Sequence, residues 1–263
     1  LIAPQMAVIT VFFFWPAAKS LYLSVFKSPP FGGRDIFVGL ANFSALLVSP
    51  EYYQSVANSF VFAFGVTALS VVGGLVVATL ANQKIRGLAL YRTLLLWPYG
   101  IAPAVAGIIF LFIFHPAYGI LPYVLSFVTS YEFNWLLKGW VAMALVIAAT
   151  AWTHVGYNIA FFLAGLQGIP DSVLEAASVD GASTWRRFWH ITLPGLKHII
   201  IVTTLLTFIF TINDFNIIYV MTRGGPGTAT QVLATYSYEV AFNQLRWGRG
   251  VTISIFAVPL LVA

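Results

Sequence analysis

The chain has 263 residues, of which 60% are hydrophobic and 8% are charged, and its formal net charge is +5. Soluble domains carry about 25% charged residues, so this chain has too little polar surface for a soluble globule and too much apolar surface for a disordered chain. The absence of cysteine excludes disulfide scaffolds, thiolate metal sites and cysteine nucleophiles. The scattered basic residues form no stripe of the kind that binds nucleic acid. An integral membrane protein remains.

Long stretches without Asp, Glu, Lys or Arg predict six transmembrane helices, because each span needs about 20 apolar residues. We place these helices at about residues 2–26, 56–81, 90–114, 140–166, 198–222 and from 251 onward. Pro98 and Pro103 interrupt the third helix, and Asp214 lies inside the fifth. Strands are not expected, because the apolar runs show no alternation. The sequence therefore predicts one all-α transmembrane domain over 1–263, which we expect to continue at both termini.

The basic residues of the loops do not decide the orientation of the chain. Six Lys and Arg residues lie on the side that holds a short basic turn at 83–87 and the polar segment 168–197, and seven lie on the other side.

The polar segment 168–197 has the pattern of two short helices joined by a turn. Gly181 suits the left-handed conformation that ends a helix. Ser183 or Thr184 suits the N-cap of the second helix, and Pro194 is expected to end it.

The second short helix carries an aromatic ridge. Trp185, Phe188 and Trp189 are spaced at i, i+3 and i+4 and therefore share one face. Such a ridge suits docking into a groove of a soluble partner. The alternative is an amphipathic connector that lies on the lipid surface.

The same segment contains a known signature. Its residues Glu175-Ala176-Ala177, Gly181 and Ile191-x-Leu193-Pro194 match the EAA motif of ABC importer permease subunits. The resemblance implies a cytoplasmic coupling helix that sits in a cleft of the ATPase subunit, and we call 168–197 the coupling segment. It also implies that the contacts to the ATPase are made by Glu175, Ala176, Ala177, Asp180 and Gly181.

Further stretches resemble the carbohydrate branch of these permeases, of the maltose and sn-glycerol-3-phosphate type, and most closely the latter. They are Trp97-Pro98-Tyr99, Tyr157-Asn158, Asn213-Asp214-Phe215 and Gly224-Gly225-Pro226. The resemblance implies a six-helix type I importer fold in a bacterial inner membrane. It also implies as partners a second homologous permease, two ATPase copies and an extracytoplasmic solute-binding protein.

Polar and aromatic residues inside three successive predicted helices are candidates for the solute pathway, because polar groups in a membrane usually face a cavity or a neighbouring helix. They are Tyr99, Tyr157, Asn158, Asn213 and Asp214. Amide, carboxylate and phenol groups suit sugar hydroxyls, and rings cover apolar sugar faces. The alternative is that these groups bond neighbouring helices together. We expect a structural role for His154 and close helix packing at Gly73 and Gly74.

The resemblance and the local electrostatics point to different solutes. The resemblance favours a carbohydrate or polyol phosphate, with sn-glycerol-3-phosphate as the leading candidate. However, no Lys or Arg lies in the middle of any predicted helix, and Asp214 would repel a phosphate. A neutral sugar such as maltose or trehalose therefore stays open.

Two other classes of function were weighed. An ion-coupled secondary transporter would use Asp214 as its ion site, and an intramembrane enzyme would need a helical His/Glu metal pair, which the sequence lacks. The chain has no Gly-x-x-x-x-Gly-Lys-Ser/Thr loop, so we expect no catalytic residue, no metal and no cofactor of its own. ATP and magnesium would belong to the partner ATPase.

Overall fold

The computed structural model of the chain describes residues 2–29, 33–82, 88–128 and 134–262. Almost all regular structure in these residues is helical. The helices are α1 (Ala3–Ser24, with a π-helical stretch at Thr10–Phe14), α2 (Ala41–Leu47), α3 (Pro50–Ala81), α4 (Leu88–Gly100), α5 (Pro103–Phe114), α6 (Ile120–Ser126), α7 (Gly139–Gln167), α8 (Asp171–Val179), α9 (Thr184–Gly195), α10 (Lys197–Ile212), α11 (Asn216–Met221), α12 (Leu233–Tyr238) and α13 (Trp247–Val262). The prediction of an all-α membrane protein is confirmed.

The helices long and apolar enough to cross a membrane follow the predicted order. In the described residues, α1, α3 and α7 each qualify alone. The pairs α4–α5, bent by 99°, and α9–α10, bent by 67°, qualify if each pair counts as one span, which gives five. The sixth predicted helix is α13, which begins at Trp247 rather than near 251 and has 16 residues.

The structure differs from the prediction at two helix ends. The fifth predicted helix breaks after Ile212, where the Asn213 side chain donates a hydrogen bond to the Ile209 carbonyl and competes with the helical backbone. Pro194 does not end a helix. The π-helical stretch Phe188–Thr192 shifts the backbone hydrogen bonding, so Pro194 lies in the first turn of the helical piece that follows.

The prediction that strands are absent was wrong. β1 (Phe26–Lys27) and β2 (Ile36–Phe37) pair in antiparallel register. A two-residue ladder is too short to produce an alternating pattern that a sequence reveals. The predicted loops 115–138 and 223–250 also contain α6 and α12. The predicted basic turn at 83–87 lies outside the described residues.

The chain divides into two compact units. One unit comprises the chain up to Phe60 and from Thr222 onward, and its core is formed by Leu46, Tyr52, Leu233, Tyr236, Val240 and Ile253. Within this unit the backbone N–H of Leu233 donates to the Ser59 hydroxyl over 2.8 Å.

The other unit, Val61–Met221, contains all of the candidate site residues. Its core includes Ala78, Ala81, Ile159, Phe162, Leu163, Leu166 and Leu196. A single transmembrane domain over 1–263 stays a prediction.

Candidate functional site

The coupling segment forms two short helices joined by a tight turn, as predicted. α8 ends at Val179, and Gly181 takes a positive φ of 76° that favours glycine. Ser183 is the N-cap of α9, because its hydroxyl accepts a hydrogen bond from the Arg186 N–H over 3.3 Å.

Side chains hold the two short helices against each other. Arg187 of α9 donates from Nη1 to the Ser178 hydroxyl of α8 over 2.6 Å, and from Nη2 to the Thr184 hydroxyl over 3.3 Å. Ser178 in turn donates to the Leu174 carbonyl over 2.8 Å. The turn therefore has a fixed shape, which a docking element needs.

The base of the coupling segment is anchored in the apolar core. Leu166 at the end of α7 and Leu196 at the start of α10 are buried in one cluster, and Ile169 packs against it. The coupling segment is therefore packed at its base against the ends of α7 and α10.

The outer surface of the segment is exposed. Val179 is 88% exposed and Trp185 is 70% exposed. The rings of Trp185, Phe188 and Trp189 lie next to one another, with 5.6 Å between the two tryptophan centroids, so the predicted ridge is present. Glu175, Ala176, Asp180 and Gly181 are also exposed, and Ala177 is half-buried. Large apolar side chains left in the open are typical of an interaction surface.

Two tyrosines predicted for the solute pathway lie side by side. The ring centroids of Tyr99 on α4 and Tyr157 on α7 are 5.8 Å apart. Gly156 makes this approach possible, because a Cβ at that position would lie 3.0 Å from the Tyr99 Cβ. Tyr99 is 62% exposed and Tyr157 is half-buried, so the pair presents aromatic surface outside the core.

Asp214 follows the break after α10 and faces a residue for which a purely structural role was expected. Its Oδ2 lies 3.6 Å from Nε2 of His154 on α7, and the two side chains are only 12% and 18% exposed. Sequence reasoning missed this pairing. The available signal was that both are rare titratable groups inside predicted spans. In the described residues no three His, Asp or Glu side chains come together as a metal site would require.

The two asparagines of the predicted pathway are engaged by the protein itself. Asn158 is fully buried, donates to the His154 carbonyl over 3.0 Å and accepts from the Thr207 hydroxyl over 3.1 Å. These contacts favour the alternative of bonding between helices. Asn213 is exposed and uses its amide on the Ile209 carbonyl.

Close packing of α3 against α7 accompanies the burial of Asn158. A Cβ at Gly74 of α3 would lie 2.6 Å from the Asn158 Cβ of α7, so close packing at this glycine is confirmed. Gly73 has ordinary space, with Val155 3.4 Å from its Cβ position.

Comparison with known proteins identifies relatives over the whole chain. Residues 70–263 match the family described as binding-protein-dependent transport system inner membrane component. The sn-glycerol-3-phosphate transport system permease protein UgpA of Rhizobium meliloti is 43% identical over 269 residues, which cover 100% of this chain and 89% of the relative. The protein of the same name from Brucella abortus is 44% identical, covering 100% and 90%.

Solved structures share the fold at low sequence identity. A bacterial ABC transporter involved in the import of the acidic polysaccharide alginate has a TM-score of 0.83 at 19% identity, covering 98% of this chain and 88% of that one. The alginate transporter in complex with an alginate pentasaccharide-bound periplasmic protein has a TM-score of 0.85 at 18% identity, covering 99% and 88%. The expected importer permease fold is confirmed.

Proposed function

This chain belongs to the family of inner membrane components of binding-protein-dependent transport systems, and we propose that it forms one half of a solute pathway. A separate ATPase would drive transport through this pathway. The observation that carries this proposal is the exposed coupling segment, whose two short helices are joined by a side-chain hydrogen bond and whose base packs in the apolar core of the longer helices. An ion-coupled secondary transporter would leave that segment without a role. In this proposal the chain moves solute and performs no chemistry.

The coupling segment is the proposed contact with the ATPase. Glu175 and Gly181 would make the main contacts, with Ala176, Ala177 and Asp180 beside them. Two ATPase copies would hold ATP and magnesium, and each would receive the segment of one permease subunit. Closure of the ATPase pair would move α8 and α9 and, through Leu196, the helix α10.

The proposed solute is a polyol phosphate, with sn-glycerol-3-phosphate as the leading candidate. The names of the relatives that are 43% and 44% identical support this choice. Tyr99, Tyr157 and Asp214 are the proposed contacts, since phenol and carboxylate groups bind hydroxyls. Asn213 would lie beside them, and the contacts of Asn158 assign it to the packing of the helices.

A neutral sugar is the second candidate solute. The observation in its favour is the exposed pair Tyr99 and Tyr157, because neighbouring aromatic rings suit the apolar faces of a sugar.

The proposed assembly also includes a second permease subunit and an extracytoplasmic solute-binding protein. A structural neighbour was solved with a periplasmic protein bound, which supports the latter. The proposed site of action is a bacterial inner membrane.

Uptake by the reconstituted system tests the function. The four components of the same system are placed in liposomes containing ATP, and uptake of labelled sn-glycerol-3-phosphate, maltose and trehalose is measured. ATP-dependent uptake of the phosphate alone supports the proposal. Uptake of the sugars alone would assign a neutral sugar as the solute in place of sn-glycerol-3-phosphate. Uptake without the ATPase would overturn the importer mechanism.

A further inference from the structure

An anionic solute meets an electrostatic obstacle at Asp214. This carboxylate lies inside the fifth predicted span and would repel a phosphate group that came near it. In the sequence, neither 139–185 nor 198–222 contains a Lys or an Arg that could balance it. A pathway for a phosphate-bearing solute needs a positive charge from another source.

His154, when its ring is protonated, is placed to supply that charge. Its Nε2 lies 3.6 Å from Asp214 Oδ2, within the range of an ion pair, and both side chains are mostly shielded from solvent. Shielding strengthens the attraction between a carboxylate and an imidazolium. The break between α10 and α11 places Asp214 opposite α7, on which His154 lies one helical turn before Asn158.

The rest of the His154 side chain is uncommitted. In the part of the chain that the structure describes, its ring makes no hydrogen bond, and its only charged neighbour is Asp214. A protonated imidazole has two N–H donors, so one can serve Asp214 and the other can serve a ligand. The 18% exposure of the side chain leaves room for such a contact.

We propose that His154 and Asp214 act as one neutral recognition pair for a phosphate monoester that carries hydroxyl groups. The imidazolium cancels the carboxylate charge and donates its second N–H to a phosphate oxygen. The Asp214 carboxylate accepts a hydrogen bond from a hydroxyl of the same solute. This inference rests on the proposed function and names the residues that make the pathway selective for an anion.

A purely structural pair would hold α7 against the chain between α10 and α11 without contacting solute. The two roles differ in which quantity the variants change. If His154 serves to cancel the charge of Asp214, removing both charges restores the uptake rate of an anion per assembled complex. If the pair serves only packing, the variants change the amount of assembled complex, because an unpaired buried carboxylate is destabilising, and leave the uptake rate per assembled complex the same.

Uptake of sn-glycerol-3-phosphate by the complete reconstituted importer tests the inference, normalised to the amount of assembled complex. His154→Gln leaves an uncancelled carboxylate, and we expect the maximal uptake rate to fall by about tenfold or more. The concentration of loaded binding protein that gives half-maximal uptake should not change, because both side chains are mostly shielded and offer little surface to a docking protein. The double variant His154→Gln/Asp214→Asn should be several-fold faster than His154→Gln alone.

Two further variants keep the test decisive. His154→Arg retains a positive charge, so its uptake rate per assembled complex should be higher than that of His154→Gln. This comparison also applies if His154→Gln assembles poorly. His198→Gln is the matched control, since it makes the same substitution at the exposed start of α10, and it should behave as wild type.

The outcomes separate the two proposals. Absence of sn-glycerol-3-phosphate uptake by the wild-type system would overturn the proposed solute and this inference with it. Normal wild-type uptake overturns the inference alone if His154→Gln is unaffected, or if the double variant is no faster than the single one.

Discussion

Arg187 donates a hydrogen bond from Nη1 to the Ser178 hydroxyl over 2.6 Å, and this bond joins α8 to α9 across the turn at Gly181. The exposed surface of the coupling segment is therefore carried by two helices that are held in a set orientation. A rigid element of this kind can transmit a push to the membrane helices, whereas a flexible loop would absorb it.

The bond between Arg187 and Ser178 predicts that substitutions at these two positions have non-additive effects on uptake. Arg187→Ala and Ser178→Ala should each lower ATP-driven uptake several-fold, because either one frees the turn. The double variant should be about as impaired as the poorer single variant, since the bond between α8 and α9 is already lost in either single variant. Uptake by the reconstituted complex measures this. Additive losses would mean that the two side chains act independently.

Helix packing at Gly74 predicts a difference between neighbouring glycines. Gly74→Ala places a methyl group 2.6 Å from the Asn158 Cβ, and we expect a loss of about 1–3 kcal/mol of stability. Gly73→Ala meets only Val155 at 3.4 Å, and the helix preference of alanine should make it neutral or slightly stabilising. The apparent melting temperatures of the two purified variants compare them. Equal melting temperatures would contradict the described packing of α3 on α7.

The buried threonines of α10 offer a test of the role of Asn158. Thr207→Val removes the donor to Asn158 Oδ1 and should cost about 1 kcal/mol of stability. Thr203 is equally buried on the same helix, but among the described residues its hydroxyl has no hydrogen-bond partner. Thr203→Val should therefore be neutral or stabilising. Thermal unfolding of both variants is the measurement, and a larger loss from Thr203→Val would reject the interhelical assignment.

Much of the fold could be predicted from the sequence, because apolar runs without charges are strong signals. The fourth predicted helix, 140–166, differs by one residue at each end from Gly139–Gln167. The break after Ile212 could not be predicted this way, since mainly apolar residues continue on both sides of Asn213-Asp214. The start of α3 at Pro50 was missed because its first turn, with Glu51, lies outside the charge-free stretch.

The candidate site was only partly predictable. The coupling segment is local in sequence, so its turn at Gly181, a cap at Ser183 or Thr184 and its ridge were predicted from the residues themselves, and the structure places the cap at Ser183. The pairing of His154 with Asp214 depends on how two distant helices pack, which spacing does not reveal. The burial of Asn158 depends on Gly74 and Thr207, which lie on two other helices.

The central claim is that the coupling segment binds the ATPase subunit. The most direct measurement is the amount of ATPase that co-purifies with the permease carrying Glu175→Lys, beside Asp35→Lys as a charge-matched control in the exposed loop after β1. Wild type and Asp35→Lys should retain the ATPase at equal stoichiometry, and Glu175→Lys should lose most of it while the two permease subunits stay together. Full retention of the ATPase by Glu175→Lys, with uptake unchanged, would contradict the account.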